Sequence, residues 1–382
     1  MEIKSMAAES IREVQEMLGR SEFDFVALHI NCDVDPSGVM GQSEGTALHG
    51  ATSCLGAMTE TADCAAVAAF AIADKAGAYG SAMVAIGDDG AEAAARAAAM
   101  QAQAQADRTG ERPDLVWVSS TPGEEEAVLA GIESVVGRDV PIIGGSAADN
   151  SVEGNWFVFD SSHKSANGVM VSVLYPSAPV SFAYQNGYSP TEKTGKVTKV
   201  DGRRVFEIDG RPALDVYTDW TGGAVARTEE HADPQAILSD STLWPLGRPI
   251  TSVGSVPFYL LAHPATAHGD GALDMFATME EGEDITMMTG TVEGLCDRAG
   301  RVASLARATG GRSTQTVKGA LMIYCGGCML TVRHELPQVT KGVREALDGA
   351  PFLGAFTFGE QGPLIGAGNR HGNLMISCIV FG

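Results

Sequence analysis

Apolar residues in the first half of the chain fall in short runs, and stretches with helical spacing separate them. Residues 25–30 (Phe-Val-Ala-Leu-His-Ile) form one such run, too short for a helix and rich in strand formers. Residues 65–72, 83–86, 115–119 and 141–143 are read as strands on the same grounds. Between them, residues 92–107 are rich in Ala and Gln and predict a helix capped by Asp88 or Asp89. A second helix is predicted over 123–136, where Pro122 opens the turn and Glu124, Glu125 and Glu126 suit the positive end of the helix dipole. Residues 1–20 carry charges throughout and read as one amphipathic helix.

Beyond residue 156 the texture changes. Short strands are predicted at 156–159, 168–174, 180–184 and 196–200, with Asn186-Gly187, Asp201-Gly202 and Asp209-Gly210 as turn dipeptides. This pattern predicts an antiparallel meander, after which Arg211-Pro212 opens a helix towards Trp220. Residues 221–249, with Gly222-Gly223 and several prolines, are the candidate junction. A second region follows, with strands at 256–262, 273–278, 285–289, 320–324, 353–358 and 374–381 and helices at 293–308 and 336–347. The expected fold is α/β in the mixed α+β sense: two consecutive α/β domains, 22–218 and 219–382, with mixed sheets and a cleft between them. No short-period repeat is visible.

Charge narrows the function. With 26 Lys+Arg against 48 Asp+Glu the formal charge is −22. Nucleic acid and anionic membrane surfaces are therefore not expected as partners. The most apolar run, 64–73, is about half the ~20 residues of a spanning helix. Seven scattered cysteines, an odd count, fit a reducing cytoplasm better than a disulfide framework.

Four stretches resemble one family in order and spacing. Val140-Pro141-Ile142-Ile143-Gly144-Gly145-Ser146-Ala147-Ala148-Asp149 is similar to a "plvGGsAgd" segment, and Ile208-Asp209-Gly210-Arg211-Pro212-Ala213-Leu214-Asp215-Val216-Tyr217 to "ldGrPAldvY". Gly354-Ala355-Phe356-Thr357-Phe358-Gly359-Glu360 resembles "GfytyGEigp", and His371-Gly372-Asn373 resembles a later "hN" turn. These are motifs of the FIST family, paired N-terminal and C-terminal sensory domains, and the resemblance runs over about residues 22 to 382. It implies sensing of small ligands; amino acids have been suggested, and some members bind haem and sense nitric oxide. With no output module on either side of the matched region, a separate signalling partner is expected. A homodimer is compatible with this reading. Two departures stand out. An early "GcStaGE" loop reads Ala51-Thr52-Ser53-Cys54-Leu55-Gly56-Ala57, without its carboxylate, and a "C-x-x-R" reads Cys325-Gly326-Gly327-Cys328, without its arginine.

The candidate ligand-binding residues are Ser53, Gly145, Ser146, Asp149 and Asn373. Glycines let a backbone approach a ligand, and free N–H groups make an anion nest; a tight turn capped by Asp149 is an equal alternative. The pair Cys325 and Cys328 has three functional readings, a redox couple, half a metal site and an activated thiolate, against two buried small residues beside a sheet. Residues 330–335 do not open like a helix, which weighs against the redox couple. Cys325 is the best nucleophile candidate. With Glu360 and His371 it would make a thiol, acid and base set for a hydrolase-like enzyme, the alternative to a sensor. No metal site is expected: the cysteine pair lacks further ligands, and Asp33-Val34-Asp35 lacks the calcium-loop pattern. Haem would need an axial ligand from His29, His49, His163, His231, His263, His268, His334 or His371.

Overall fold

The computed structural model describes residues 1–19, 22–41, 45–226, 234–310 and 316–382. Strand Phe25–Ile30 pairs in parallel with Ala47–Thr52 and antiparallel with Val67–Ala73. The same three-strand unit occurs twice more. Leu115–Ser120 pairs in parallel with Ile142–Ser146 and antiparallel with Gly168–Tyr175. Gly319–Cys325 pairs in parallel with Phe352–Thr357 and antiparallel with Ile376–Phe381. The registers correspond: Gly50, Gly144 and Gly354 stand opposite Leu28, Val118 and Met322. Side chains are excluded at these glycines for local reasons. A Cβ at Gly144 would fall on the Val118 carbonyl, at Gly50 on the Phe159 ring, and at Gly354 on Met58.

Each unit nucleates one sheet, and the three inner faces share an apolar centre. Phe25 and Phe70 come from the first unit, Leu115 and Trp117 from the second, and Ile323 and Phe381 from the third. Helices cover the outer faces. Helix Ile11–Leu18 buries Val14 on the first sheet. Gly90–Gln105 lays Ala91, Ala95, Ala98 and Ala102 on the second, alongside Glu125–Val136. These small side chains, and the absence of a Cβ at Gly80, let the helix backbone come close to the sheet. Val292–Thr309 and Leu336–Ala346 cover the third sheet. A fourth sheet, largely antiparallel hairpins between Ser189–Asp201 and Asp284–Thr289, has its own core around Val197, Tyr217, Leu246 and Met287.

Strands from both halves of the chain interleave in two sheets. Ala57–Thr59 pairs with Phe352–Thr357. Glu360–Leu364 pairs with Ile142–Ser146 and then with Gly368–Gly372. The fold is the mixed α+β class expected, with mixed sheets.

Several local expectations need correction. Residues 1–20 are not one helix: Glu2–Ala8 is a strand on the edge of Val67–Ala73, and the helix covers only Ile11–Leu18. Ladder pairing with that buried strand outweighs the charged, helix-like composition. Within the candidate junction 221–249, helix Leu238–Ser241 and strand Leu246–Val253 form, and residues 227–233 lie outside the described residues. Among the strands that the sequence did not predict are Ala47–Thr52, Arg204–Ile208, Pro264–Ala267, Glu360–Leu364 and Gly368–Gly372. Among the described residues no helix is long and apolar enough to cross a membrane.

Candidate functional site

Successive side chains on a strand point to opposite faces. The register of Glu360–Leu364 with Gly368–Gly372 places Gln361 opposite His371 and Glu360 opposite Gly372. Gln361 and His371 therefore share one face, and Glu360 lies on the other. The thiol, acid and base set is divided: Cys325 and Glu360 are neighbours, and His371 is on the far side of the sheet.

The His371 face is a carboxylate–imidazole network. Ser146 Oγ donates to Glu125 Oε1 at 2.7 Å. Arg203 clasps Glu125 at 2.6 Å and Glu126 at 2.9 Å. His371 Nε2 lies 4.0 Å from Glu125 and 3.3 Å from the Phe276 carbonyl, and its Nδ1 is 3.3 Å from the Gln361 side-chain amide. Gly359 is required here, because a Cβ would sit 2.6 Å from the His371 ring. Burial alone would raise the Glu125 carboxyl, but the charges of His371 and Arg203 and the Ser146 hydrogen bond outweigh it and hold it below the usual range. This face is a buried charge with its counter-charges in place.

The Glu360 face is built differently. Cys325 is the N-cap of helix Gly326–Thr331, so a helix does open at the cysteine motif, earlier than the sequence reading placed it. Its thiol and that of Cys328 share a hydrogen bond. Arg298 reaches in from helix Val292–Thr309, donating to Cys328 Sγ at 3.2 Å and to the Leu374 carbonyl at 3.0 Å. Its guanidinium also stacks on Tyr188 and Tyr324, at 5.5 and 5.3 Å from the ring centroids. The guanidinium missing from position 328 of the motif is thus supplied from another helix. The Tyr188 hydroxyl lies 3.5 Å from Cys328 Sγ and donates to the Thr242 carbonyl at 2.8 Å. Glu360 accepts from Thr357 Oγ1 at 3.2 Å and from the Met375 N–H at 2.9 Å.

The two thiols diverge. Burial raises both; for Cys328 the hydrogen bond from Cys325 and the charge of Arg298 more than offset it and bring the thiol below its ordinary value. Cys325 is pushed well up by burial, by its bond to Cys328 and by the Glu360 charge. Burial likewise pushes Glu360 well up. Of the two thiols, Cys328 is the one that Arg298 contacts, while Cys325, the candidate singled out from sequence, faces Glu360. Arg298 and Glu125 also escaped the sequence reading. The signal for Arg298 was present: it interrupts an apolar helix stripe formed by Leu295, Ala299, Val302 and Ala303.

The remaining candidates have backbone partners. Asp149 accepts from the N–H groups of Ser151, Val152, Glu153 and Asn155, at 2.6 to 3.2 Å. Ser53 Oγ donates to the Gly56 carbonyl and accepts from the Phe356 N–H at 2.8 Å. Gly145 abuts Thr357, whose side chain is 2.6 Å from where a Cβ would stand. Asn373 accepts from the His263 N–H at 3.1 Å and donates to the Phe276 carbonyl that His371 also uses.

A cavity of about 250 Å³ adjoins the thiol face, with Tyr184, Tyr188, Phe258, Tyr259, Leu364 and Met375 among its walls. Of the four buried imidazoles among the described residues, three are engaged by polar neighbours, and the fourth, His29, has no hydrogen-bond partner on either ring nitrogen. His49 is hydrogen-bonded to Ser172 and Ser119, His263 to Ser241, and His371 as above. His268 borders a cavity, but a polar one shared with Arg211, Asp215 and Asp219, unsuited to an apolar macrocycle. His231 lies outside the described residues. Among the described residues no group of three or more His, Cys, Asp or Glu could hold a metal ion.

Comparison with known proteins places the chain in a family. The FIST N domain matches residues 37–211 and the FIST C domain residues 213–363. An uncharacterised protein of Methanocaldococcus jannaschii is 33% identical over 90 residues, 23% of this chain and 18% of that protein. The chain thus spans less than a fifth of that relative's length. A crystal structure of cyanuric acid hydrolase from A. caulinodans covers 48% of this chain and 70% of its own, at 12% identity and a TM-score of 0.28, too slight a likeness to bear on fold or function.

Proposed function

The chain belongs to the FIST family, whose domains are sensory, and we propose that it is a cytoplasmic small-molecule sensor with its ligand in the aromatic cavity beside the thiol face. One observation carries this reading. Tyr184 and Tyr188 wall the cavity, and their hydroxyls run inward to the Glu360 carbonyl at 2.9 Å and to the Cys328 neighbourhood. A ligand against those rings would bear directly on the buried motif residues. The cavity draws residues from both matched segments, Tyr184 and Tyr188 from one and Phe258 and Tyr259 from the other. A ligand favouring one relative placement of these segments would shift its population by its difference in affinity. The output would pass to a separate partner.

The ligand class follows from the walls: a compact molecule with an apolar or aromatic body and few polar groups. Hydrophobic and aromatic amino acids are the first set to test. All seven cysteines are free, as a reducing compartment requires. The hydrolase alternative draws no support from geometry that separates His371 from Cys325.

The test is calorimetric titration and thermal shift with aromatic amino acids and their small analogues, on the wild type and on Val256→Trp. Val256 borders the cavity yet is 62% exposed, so a larger ring can block the space without burdening the core. The expected result is saturable binding weakened roughly tenfold or more, about 1.4 kcal/mol, by the blocking variant. Binding that Val256→Trp and Tyr259→Ala both leave unchanged would place the ligand elsewhere.

A further inference from the structure

Arg298 is buried to 3% exposure and cannot shed its proton. A buried cation ordinarily faces a carboxylate. Among the described residues no carboxylate lies within ion-pair distance of it. Its guanidinium finds a sulfur, a carbonyl and two tyrosine rings. The group positioned to carry the compensating negative charge is Cys328. A second thiol, Cys325, stands one helical turn away, with only Gly326 and Gly327 between them. That spacing brings Cα atoms within disulfide range.

We propose that Cys328 and Cys325 form a peroxide-reactive redox pair, in which Cys328 is the attacking thiolate and Cys325 the resolving thiol. The Cys328 sulfur attacks the O–O bond of a small hydroperoxide. An S–O bond forms, the O–O bond breaks, and the departing alkoxide or hydroxide takes up a proton to leave as alcohol or water. Cys328 is now a sulfenic acid. The Cys325 sulfur then attacks it; the S–S bond forms, the S–O bond breaks, and the leaving hydroxide combines with the Cys325 proton as water. Two electrons pass from the dithiol to the peroxide, and a dithiol reductant added in denaturant, where access no longer limits it, reverses the change.

The environment assigns the roles. Arg298 stabilises the thiolate and is a donor beside the oxygen that leaves. Cys325 rests as a thiol next to Glu360 and gives up its proton to the leaving hydroxide as it attacks. The route in is narrow: Cys325 is 5% exposed, Cys328 is fully covered, and Gly327 is the half-exposed residue of the motif. Gly327 has no heavy atom closer than 3.8 Å to where a Cβ would be, and the Cys325 sulfur is at that distance. Such an opening suits a molecule of water or peroxide size. It does not suit a bulky disulfide or an aromatic alkylating reagent. This inference stands apart from the ligand cavity and does not depend on it.

The experiment uses the full chain, reduced and freed of reductant, then exposed to hydrogen peroxide at modest excess. The reaction is stopped by alkylation in denaturant and read by peptide mass spectrometry. Cys64, the exposed thiol, and Cys32, the half-buried one, serve as internal references. The expected result is a dithiol-reversible Cys325–Cys328 linkage forming roughly tenfold faster than Cys64 oxidises, as thiolate character dictates. Cys325→Ser should halt at a sulfenic acid on Cys328 that dimedone traps, and Cys328→Ser should not react at Cys325. Oxidation of Cys64 and Cys32 with Cys325 and Cys328 both still reduced in the wild type would overturn the proposal. So would a Cys328→Ser protein whose Cys325 oxidises at the wild-type rate. The wild-type peptide map decides the matter even if a variant fails to fold.

Discussion

The two faces of one short strand pair solve the same problem in opposite ways. On the His371 face a buried carboxylate, Glu125, meets Arg203, His371 and Ser146, so every charge has an answering charge. On the Glu360 face a buried guanidinium, Arg298, has no carboxylate within ion-pair distance among the described residues, and its contacts are the Cys328 sulfur, a carbonyl and two tyrosine rings. The first arrangement is complete in one protonation state and holds two parts of the fold together. The second is complete only when a reactive group is in its reactive form. The proposed redox pair lies on the face where pairing is conditional.

The largest expected effect breaks the complete side. Arg203→Ala removes the ion-pair partner that buried Glu125 holds at 2.6 Å and leaves only His371, at 4.0 Å, to answer its charge, and should cost up to about 3–5 kcal/mol in denaturant unfolding. Adding Glu125→Gln should recover much of that, because it removes the orphaned charge; no recovery would mean that Arg203 acts through packing instead.

Next in size is pH dependence, where the two faces should have opposite signs. Glu125 sits below its ordinary value of 4.5, so its contribution is present above that value and is lost as pH falls through the folded value. Glu360 sits above 4.5, so its contribution is full below that value and is lost as pH rises through the folded one. Stability curves for Glu360→Gln should therefore gain on the wild type by up to roughly 1.4 kcal/mol per pH unit above 4.5. The other charged groups facing Glu360, namely Cys325, Cys328 and Arg298, remain in both proteins. A Glu360→Gln curve parallel to the wild type would remove the contrast. His29 and His263, both held near 4 by burial, add acid-side loss in either protein as pH falls from 6.5.

The smallest change refines the conditional side. Tyr188→Phe removes a buried hydroxyl bonded to the Thr242 carbonyl and beside Cys328. About 1 kcal/mol of stability should go. The same variant should slow oxidation of Cys328 by peroxide, because one polar neighbour of the thiolate is gone; an unchanged rate would leave activation to Arg298 and Cys325.

Most of the ladder was legible where periodicity and turn chemistry agreed. Val256–Ala262 matches its expected bounds, and Val292–Thr309 and Leu336–Ala346 are within about two residues of theirs. Glu360–Leu364, with its Glu, Gln, Gly and Pro, has almost no intrinsic strand preference and exists because Ile142–Ser146 offers it a partner. The threefold recurrence was hidden for a related reason. Its units share backbone pairing and a glycine position, not a side-chain pattern, and the fourth sheet separates the second from the third. The candidate site was legible as motifs and illegible as geometry. Sequence showed that Cys325, Glu360 and His371 mattered to the family pattern, but one strand's alternation decided which of them could meet. Nothing in local sequence says that Arg298 and Cys328 touch, since the hydrogen bond joins different elements.

One pairing described earlier also governs how the chain acquires its shape. The Ser53 hydroxyl accepts from the Phe356 amide across a sequence separation of 303 residues. Strand Ala57–Thr59 likewise waits for Phe352–Thr357. At ribosomal rates of about 5–20 residues per second, the early loop stays without its partner for on the order of a quarter-minute to a minute. Contacts that distant carry a heavy loop-closure penalty and make for slow folding. The first two units can assemble on the ribosome, yet the loop at Ser53 must be kept from aggregation until the last strands emerge, so overproduction of this chain should depend on temperature and chaperone supply more than its final stability suggests.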